Sequence, residues 1–192
     1  MPGISESDSL SIPWNPSSYI STGGLLLAAR NALGEIHSAI IICDPGAERA
    51  AGGRSDLFGG TPGGSQAYIE ENCLGPALLI RELVRRFRAR RSGRILLLYV
   101  DREAEAPLGP SQALIAGAFK GLGEGLFSAA KAEAAKNAST KTASWSAFGV
   151  ADSSGSPEAT ARFALKLMDD PKAGKAGRWL RFAGKSGIFG VF

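Results

Sequence analysis

Few side chains in this sequence have the types and spacing that catalysis or metal binding requires. His37 is the only histidine, and an isolated imidazole favours a surface or capping role over a catalytic or metal-binding one. Cys43 and Cys73 are the only cysteines, and their spacing fits neither a CxxC motif nor a metal site. We expect both to be free, buried thiols.

Two glycine-rich stretches have compositions that could suit phosphate binding. Residues 59–64 lack the Gly-Lys-Ser/Thr ending of a P-loop and follow no strand directly. Residues 121–125 lie inside a predicted helix, whereas a dinucleotide loop joins a strand to a helix N-terminus, where its amides face the pyrophosphate. The sequence therefore predicts no cofactor-binding loop.

Arginines are concentrated in one part of a mildly basic chain, which has a net charge of +4. Clustered cations can bind nucleic acid through counterion release. Cations at the end of a helix also complement its dipole, and their stems cover apolar surface. We prefer this second account and keep nucleic-acid binding as an alternative. The cluster comprises Arg81, Arg85, Arg86, Arg88, Arg90, Arg91 and Arg94.

The rest of the chain alternates predicted strands and helices, an order typical of α/β folds. Apolar runs without alternation at 35–43 and 93–100 predict strands buried on both faces, as in parallel sheets. Pro13 would confine a strand at 10–14 to a sheet edge, Gly34 ends the first helix, and Gly75-Pro76 kinks the second. Further strands are predicted at 142–150 and 177–184, and helices at 19–33, 65–91, 111–136 and 156–168.

Length and composition predict one domain over residues 1–192, with residues 1–8 disordered. The chain is 44% hydrophobic and 21% charged, which suffices for a sizeable core. No leader sequence or membrane-spanning run is evident, so we expect a cytoplasmic protein that does not bind membranes. The apolar stretch 188–192 is expected to dock on the core or on a neighbouring subunit.

Four stretches resemble the short-chain dehydrogenase/reductase family. They are residues 28–46, which end in Cys43-Asp-Pro-Gly46 where the family has Asn-Asn-Ala-Gly, Asn72-Cys-Leu-Gly-Pro76 within a helix, the strand Gly93–Val100 with the helix after it, and the closing Gly177–Gly184. The resemblance covers residues 10–184 and implies a Rossmann-like, three-layer α/β/α domain with a mostly parallel sheet. It also implies a degenerate, N-terminally truncated member that lacks the first βαβ nucleotide-binding units.

The resemblance places the family's catalytic positions on residues that cannot perform its chemistry. The catalytic Asn position holds Asn72, but the Ser, Tyr and Lys positions hold Val100, Ala113 and Gly117. If Lys120 is taken as the family lysine instead, the Tyr position still holds an alanine. We therefore expect no tyrosine near the lysine, no bound cofactor and no metal. A non-catalytic binding or assembly protein follows.

Two rival functions stay open at this point. The first is an NAD(P)-dependent short-chain oxidoreductase completed by a partner chain, with Asp101, Glu103 or Lys120 as substitute acid. The second is a nucleic-acid-binding module that uses the arginine cluster. Whether the chain is an enzyme is thus undecided, although we favour a protein without activity.

The missing strands predict two unusual surfaces. Residues 38–43 should become an exposed apolar sheet edge, which segment 10–14 or a protein partner would cover. Small residues also recur every fourth position of the helix after Pro110, including Gly117, Gly121 and Gly125. We expect this glycine stripe to be a packing or interface surface. A homo-oligomer through helices 65–91 and 111–136 is the predicted assembly, as is common in the family.

Overall fold

The computed structural model describes residues 11–47, 61–101, 108–138, 144–170 and 177–184. The predictions for residues 1–8, Leu10, 48–60, Glu103, 142–143 and 188–192 lie outside these ranges. Within them, four strands form one sheet in which every neighbouring pair is parallel. The strands follow one another in chain order: β1 (Ser38–Cys43), β2 (Arg94–Val100), β3 (Ser146–Asp152) and β4 (Trp179–Phe182).

Helices connect the strands and cover both faces of the sheet. They are α1 (Tyr19–Leu33), α2 (Pro62–Ile69), α3 (Gly75–Arg90), α4 (Pro110–Ala138) and α5 (Pro157–Asp169). Ser18, Thr61 and Ser156 cap α1, α2 and α5 by accepting a backbone N–H of the first turn. No helix in the described ranges is both long and apolar enough to cross a membrane.

Alternate residues of the central strands face two separate cores. Ile95, Leu97 and Tyr99 of β2 lie in a larger core with α1, α3 and α4. Leu96 and Leu98 lie in a smaller core with α5. Because both faces of β2 are covered, its residues 95–97 and 99 are fully buried. The predicted three-layer α/β/α architecture with a parallel sheet is therefore confirmed.

The helix predicted over 65–91 changes geometry directly before Gly75-Pro76, where a kink was predicted. A π-helical turn, Glu70–Leu74, separates α2 from α3 directly before Gly75 and Pro76. Pro76 lacks an N–H, so the helical hydrogen-bond pattern cannot continue unchanged through it. The predicted end of α1 at Gly34 is also confirmed, because Gly34 has a φ of +81° and follows Leu33.

Residues 11–15 form no strand, so the prediction of an edge strand at 10–14 is wrong for its described part. Trp14 Nε1 donates to Thr22 Oγ1 of α1 at 3.1 Å. Gly75 lets Trp14 and Pro16 approach the start of α3, since a Cβ there would lie 3.1 Å from the Trp14 ring. Packing of the indole thus outweighs the local strand pattern, and this segment does not cover β1.

β1 is shorter and more exposed than its predicted counterpart at 35–43. Its side chains alternate between the two faces, and those of Ile40 and Ile42 are 37% and 62% exposed. No strand of the described residues pairs with its outer edge. The expectation of a strand buried on both faces is therefore wrong, whereas the predicted exposed apolar edge is present.

Candidate functional site

The carboxyl ends of three neighbouring strands carry aspartates on one side of the molecule. Asp44 follows β1, Asp101 follows β2, and Asp152 ends β3. These residues lie at the rim of a cavity of about 420 Å³ between the sheet and α5, which we call the β1–α5 groove. Its wall is apolar and includes Ile40, Ile42, Leu98, Val100, Ala164 and Leu165.

Asp152 has a structural role in this groove. Its side chain is buried, with the residue only 5% exposed. Oδ2 accepts from Thr160 Oγ1 at 2.6 Å, and Oδ1 accepts from the Ser154 N–H at 2.9 Å. These bonds join the end of β3 to the first turn of α5 and satisfy the buried carboxylate. In the described ranges, no group of three or more His, Cys, Asp or Glu side chains could hold a metal ion.

The four positions that the resemblance aligned with the family's catalytic residues lie on different elements of the fold. Val100 ends β2, while Ala113 and Gly117 lie exposed on α4. Asn72 lies in the π-helical turn, where its Nδ2 donates to the Tyr68 carbonyl at 3.0 Å. Its amide therefore stabilises the local helix geometry.

A tyrosine does lie beside Lys120, so the expectation that none would be there is wrong. Lys120 Nζ is 4.2 Å from the centroid of the Tyr99 ring. Tyr99 is on β2 and alternates with Ile95 and Leu97 toward α4, so the sheet period brings it under the helix. The contact is a cation–π interaction with the ring face, and Tyr99 is 0% exposed.

Cys43 and Cys73 are free, as predicted, and they are half-buried. Burial raises the pKa of the Cys43 thiol to about 12. The Asp44 carboxylate and Cys73 also act to raise this pKa, whereas Lys120 acts to lower it. Burial also raises the pKa of Cys73. A thiolate is the reactive form of cysteine, so neither side chain is suited to nucleophilic catalysis near neutral pH.

We expect Cys43 to resist alkylation at pH 8. Its modification rate should keep rising about tenfold per pH unit beyond pH 9, because its thiolate fraction increases until the pKa of about 12. Iodoacetamide labelling with mass spectrometry between pH 7 and 10 measures this rate, with Cys43→Ser to isolate Cys73. A plateau of the Cys43 rate near pH 9 would contradict the prediction.

The glycine stripe faces open space among the described residues. A Cβ at Gly117, Gly121 or Gly125 would have no other atom within 4 Å beyond its own helix. The expectation that another element of the chain packs on this stripe is therefore wrong for the described residues. Its use as an interface between chains stays a prediction.

Gly121→Ala should stabilise the fold by up to about 1 kcal/mol, because alanine restricts the unfolded chain and favours a helix interior. Urea unfolding at low micromolar concentration measures the change. Gly123→Ala on the same helix is the control, since its Cβ would lie 2.7 Å from the Trp179 ring. Equal changes in the free energy of unfolding for the two substitutions would show that a side chain at position 121 does not lie in open space.

Five of the seven clustered arginines contact other groups of this chain. Arg85 pairs with Glu82 at 2.7 Å, and Arg88 pairs with Glu133 at 2.7 Å. Arg81 lies over the Tyr19 ring, and Arg90 contacts Glu35 and His37. Arg94 donates to the backbone carbonyls of Met168 and Asp170 at the end of α5. His37 is exposed and accepts from Arg90, which agrees with the expected surface role.

The parallel sheet and its two helical layers define a Rossmann-like α/β domain. No family model matches the chain, and no curated protein matches it. Solved structures do match, among them two reductases of the short-chain dehydrogenase/reductase family. The chain thus has the fold of that family.

Two of these structures show the extent of the likeness. A protein assigned as a 3-oxoacyl-reductase from Bacillus thuringiensis aligns with a TM-score of 0.62 and 16% identity, over 93% of this chain and 78% of its own. The 3-ketoacyl-(acyl-carrier-protein) reductase from Brucella melitensis, complexed with NADH, aligns with a TM-score of 0.60 and 17% identity over the same shares. At this identity, the likeness concerns the fold.

Proposed function

We propose that this chain is a short-chain dehydrogenase/reductase-like protein without oxidoreductase activity that acts in binding or assembly. The observation that supports the proposal most is the burial of Tyr99. A general acid must come within hydrogen-bond distance of the substrate atom that it protonates. The tyrosine beside Lys120 is 0% exposed and presents its ring to the lysine, while Ala113 and Gly117 offer no acid or cation.

Titration with NADH and NADPH tests the loss of cofactor binding. We expect no saturable change in nicotinamide fluorescence when the full chain is added, alone or with cell extract. Saturable binding by the isolated chain in the micromolar range would overturn the proposal. A Lys120→Met variant is the matched control, because any specific binding through the lysine would fall with this change.

Two exposed surfaces support a role in assembly. The outer edge of β1 pairs with no strand of the described ranges, which suits a protein partner that adds a strand there. Ile69 and Leu74, at the end of α2 and in the π-helical turn, and Leu114 on α4 are exposed. We propose that a second copy packs on helices 65–91 and 111–136, where the absence of side chains at the stripe allows close approach.

Light scattering of paired variants tests this assembly. Gly121→Leu should shift the full chain from an oligomer to a monomer, since a bulky side chain would separate the helices. Gly24→Leu is the control, because Gly24 is also a helical glycine with no atom within 4 Å of its Cβ. A monomeric parent chain, or an oligomer unaffected by Gly121→Leu, would contradict the helix interface.

An oxidoreductase completed by a partner chain is the second candidate. The Brucella melitensis reductase of similar fold was solved with NADH, which makes this activity worth testing. Asp101 and Lys120 are the described residues that would serve as substitute acids. NAD(P)H oxidation that appears only with cell extract and is lost in Lys120→Met would favour it over the main proposal.

Nucleic-acid binding receives less support, because five of the seven clustered arginines (Arg81, Arg85, Arg88, Arg90 and Arg94) already contact groups of this chain. Those arginines would have to exchange their present partners for phosphates. Retention on a polyanion column that falls steeply with salt, and is lost on replacing Arg85 and Arg88, would restore this candidate.

A further inference from the structure

The β1–α5 groove combines an apolar wall with an acidic rim. Ile42 is 62% exposed on its wall, and Ile40 and Leu165 are exposed beside it. Asp44, Asp101 and Asp152 lie at the rim formed by the strand ends. Apolar surface of this kind is usually covered in a folded protein. An occupant with an apolar part and a cation at one end would match the apolarity of the wall and the charge of the rim.

The last described residues of the chain, which end at Gly184, lie beside the mouth of this groove. The Phe182 carbonyl accepts from the Ser153 N–H at 2.8 Å, and a Cβ on Gly184 would lie 3.1 Å from Ser154 Cβ. The next residues, Gly155 and Ser156, line the groove. Gly184 has a φ of +83°, a left-handed conformation that turns the chain as β4 ends.

We propose that residues 185–192 dock in the β1–α5 groove of their own chain. This segment has the sequence Lys-Ser-Gly-Ile-Phe-Gly-Val-Phe, with one cation at its start, four apolar side chains and no acidic residue. Lys185 follows Gly184 directly, so its ammonium group can reach the acidic rim. Ile188 and Phe189 then face the apolar wall formed by Ile40 and Ile42. The order of charge and apolarity along the segment matches the order along the groove.

The length of the segment fits the distance that it has to cover. The segment starts beside Ser154, which follows the end of β3. β1 lies two strand spacings, roughly 10 Å, from β3. Four extended residues span up to about 14 Å, so Ile188 reaches β1 and the residues after it can follow the groove. A short tether also gives an effective concentration in the millimolar range. At micromolar protein concentration, residues 185–192 of the same chain are therefore favoured as the occupant over residues 185–192 of a second copy.

Photo-cross-linking in the full chain tests this contact directly. Phe189 is replaced by p-benzoylphenylalanine, a conservative aromatic change, and the irradiated protein is analysed by gel and peptide mass spectrometry. We expect an intramolecular cross-link, so the cross-linked protein should run at monomer mass on the gel. Mass spectrometry should show residue 189 joined to peptides that contain residues 40–44 or 157–165. Cross-links only in a dimer-mass band, only to other peptides, or none at all would overturn the proposal.

Two variants separate specific docking from general stickiness. Lys185→Glu should lower the cross-link yield roughly two- to fivefold, the range expected from one exposed ion pair, whereas Lys185→Arg should retain it. The photoreactive residue at Leu33, exposed at the end of α1, should give no cross-link to the groove. Equal yields for Lys185→Glu and Lys185→Arg would contradict the role of the acidic rim. The inference does not depend on the proposed function, because NADH titration and light scattering read different properties.

Discussion

Gly149→Ala is expected to destabilise the protein by about 1–3 kcal/mol, although it adds a single methyl group. In the register of the sheet, Gly149 of β3 is the partner of Trp179 of β4. The indole lies directly over Gly149, so a Cβ there would overlap the ring. The ring cannot easily move away, because it also packs against Phe127 at a centroid distance of 5.5 Å and Phe119 at 6.1 Å.

A double-mutant cycle distinguishes this steric effect from a loss of strand stability. Trp179→Leu alone removes part of a large, half-buried ring and should also destabilise, but it opens space above Gly149. The double variant should therefore lose less than the sum of the two single changes, by about 0.5–3 kcal/mol. Urea unfolding followed by circular dichroism measures the unfolding free energies of the parent chain, the two single variants and the double variant. Strict additivity would show that the ring and the methyl group do not compete for space.

The order and type of the elements could be predicted because they depend on local patterns. Unbroken apolar runs marked β1 and β2, and helical spacing with cap residues marked α1 and α5. Both signals are contained in segments of ten to twenty residues. The packing of Trp179 over Gly123 and Gly149 could not be predicted in this way, because it depends on the register between strands and on the position of α4.

The candidate site shows the same division. The resemblance assigned the family positions at Val100, Ala113 and Gly117 from spacing along the sequence, from the end of β2 into α4. Lys120 and Tyr99 come from different elements, and their contact appears only when α4 is laid on the sheet. The glycine stripe was expected to be packed, but the face of α4 that turns inward carries Phe119, Gly123 and Phe127 instead. A four-residue repeat marks one face of a helix without indicating whether that face is turned inward.

Glu82→Ala should destabilise the protein by about 2–3 kcal/mol, because it removes the acceptor of a buried polar contact between two helices. Glu82 is 2% exposed on α3, and its Oε1 accepts from the Tyr19 hydroxyl of α1 at 2.9 Å. Oε2 accepts from Arg85 Nη2 at 2.7 Å. Tyr19→Phe should have a smaller effect of about 1–2 kcal/mol, since Arg85 still engages the carboxylate.

The pH dependence of stability gives a further test of this contact. Burial acts to raise the pKa of Glu82, but hydrogen bonds from Tyr19 and Arg85 outweigh it, so the pKa lies below the ordinary value of 4.5. A lowered pKa in the folded state means that the stabilisation is present above about pH 4.5 and is lost as the pH falls through the folded pKa. The difference in unfolding free energy between the parent chain and Glu82→Gln should therefore shrink on acidification. The exposed Glu124→Gln should stay within about 0.5 kcal/mol of the parent at every pH, and a difference for Glu82→Gln that grows below pH 4 would contradict the assigned hydrogen bonds.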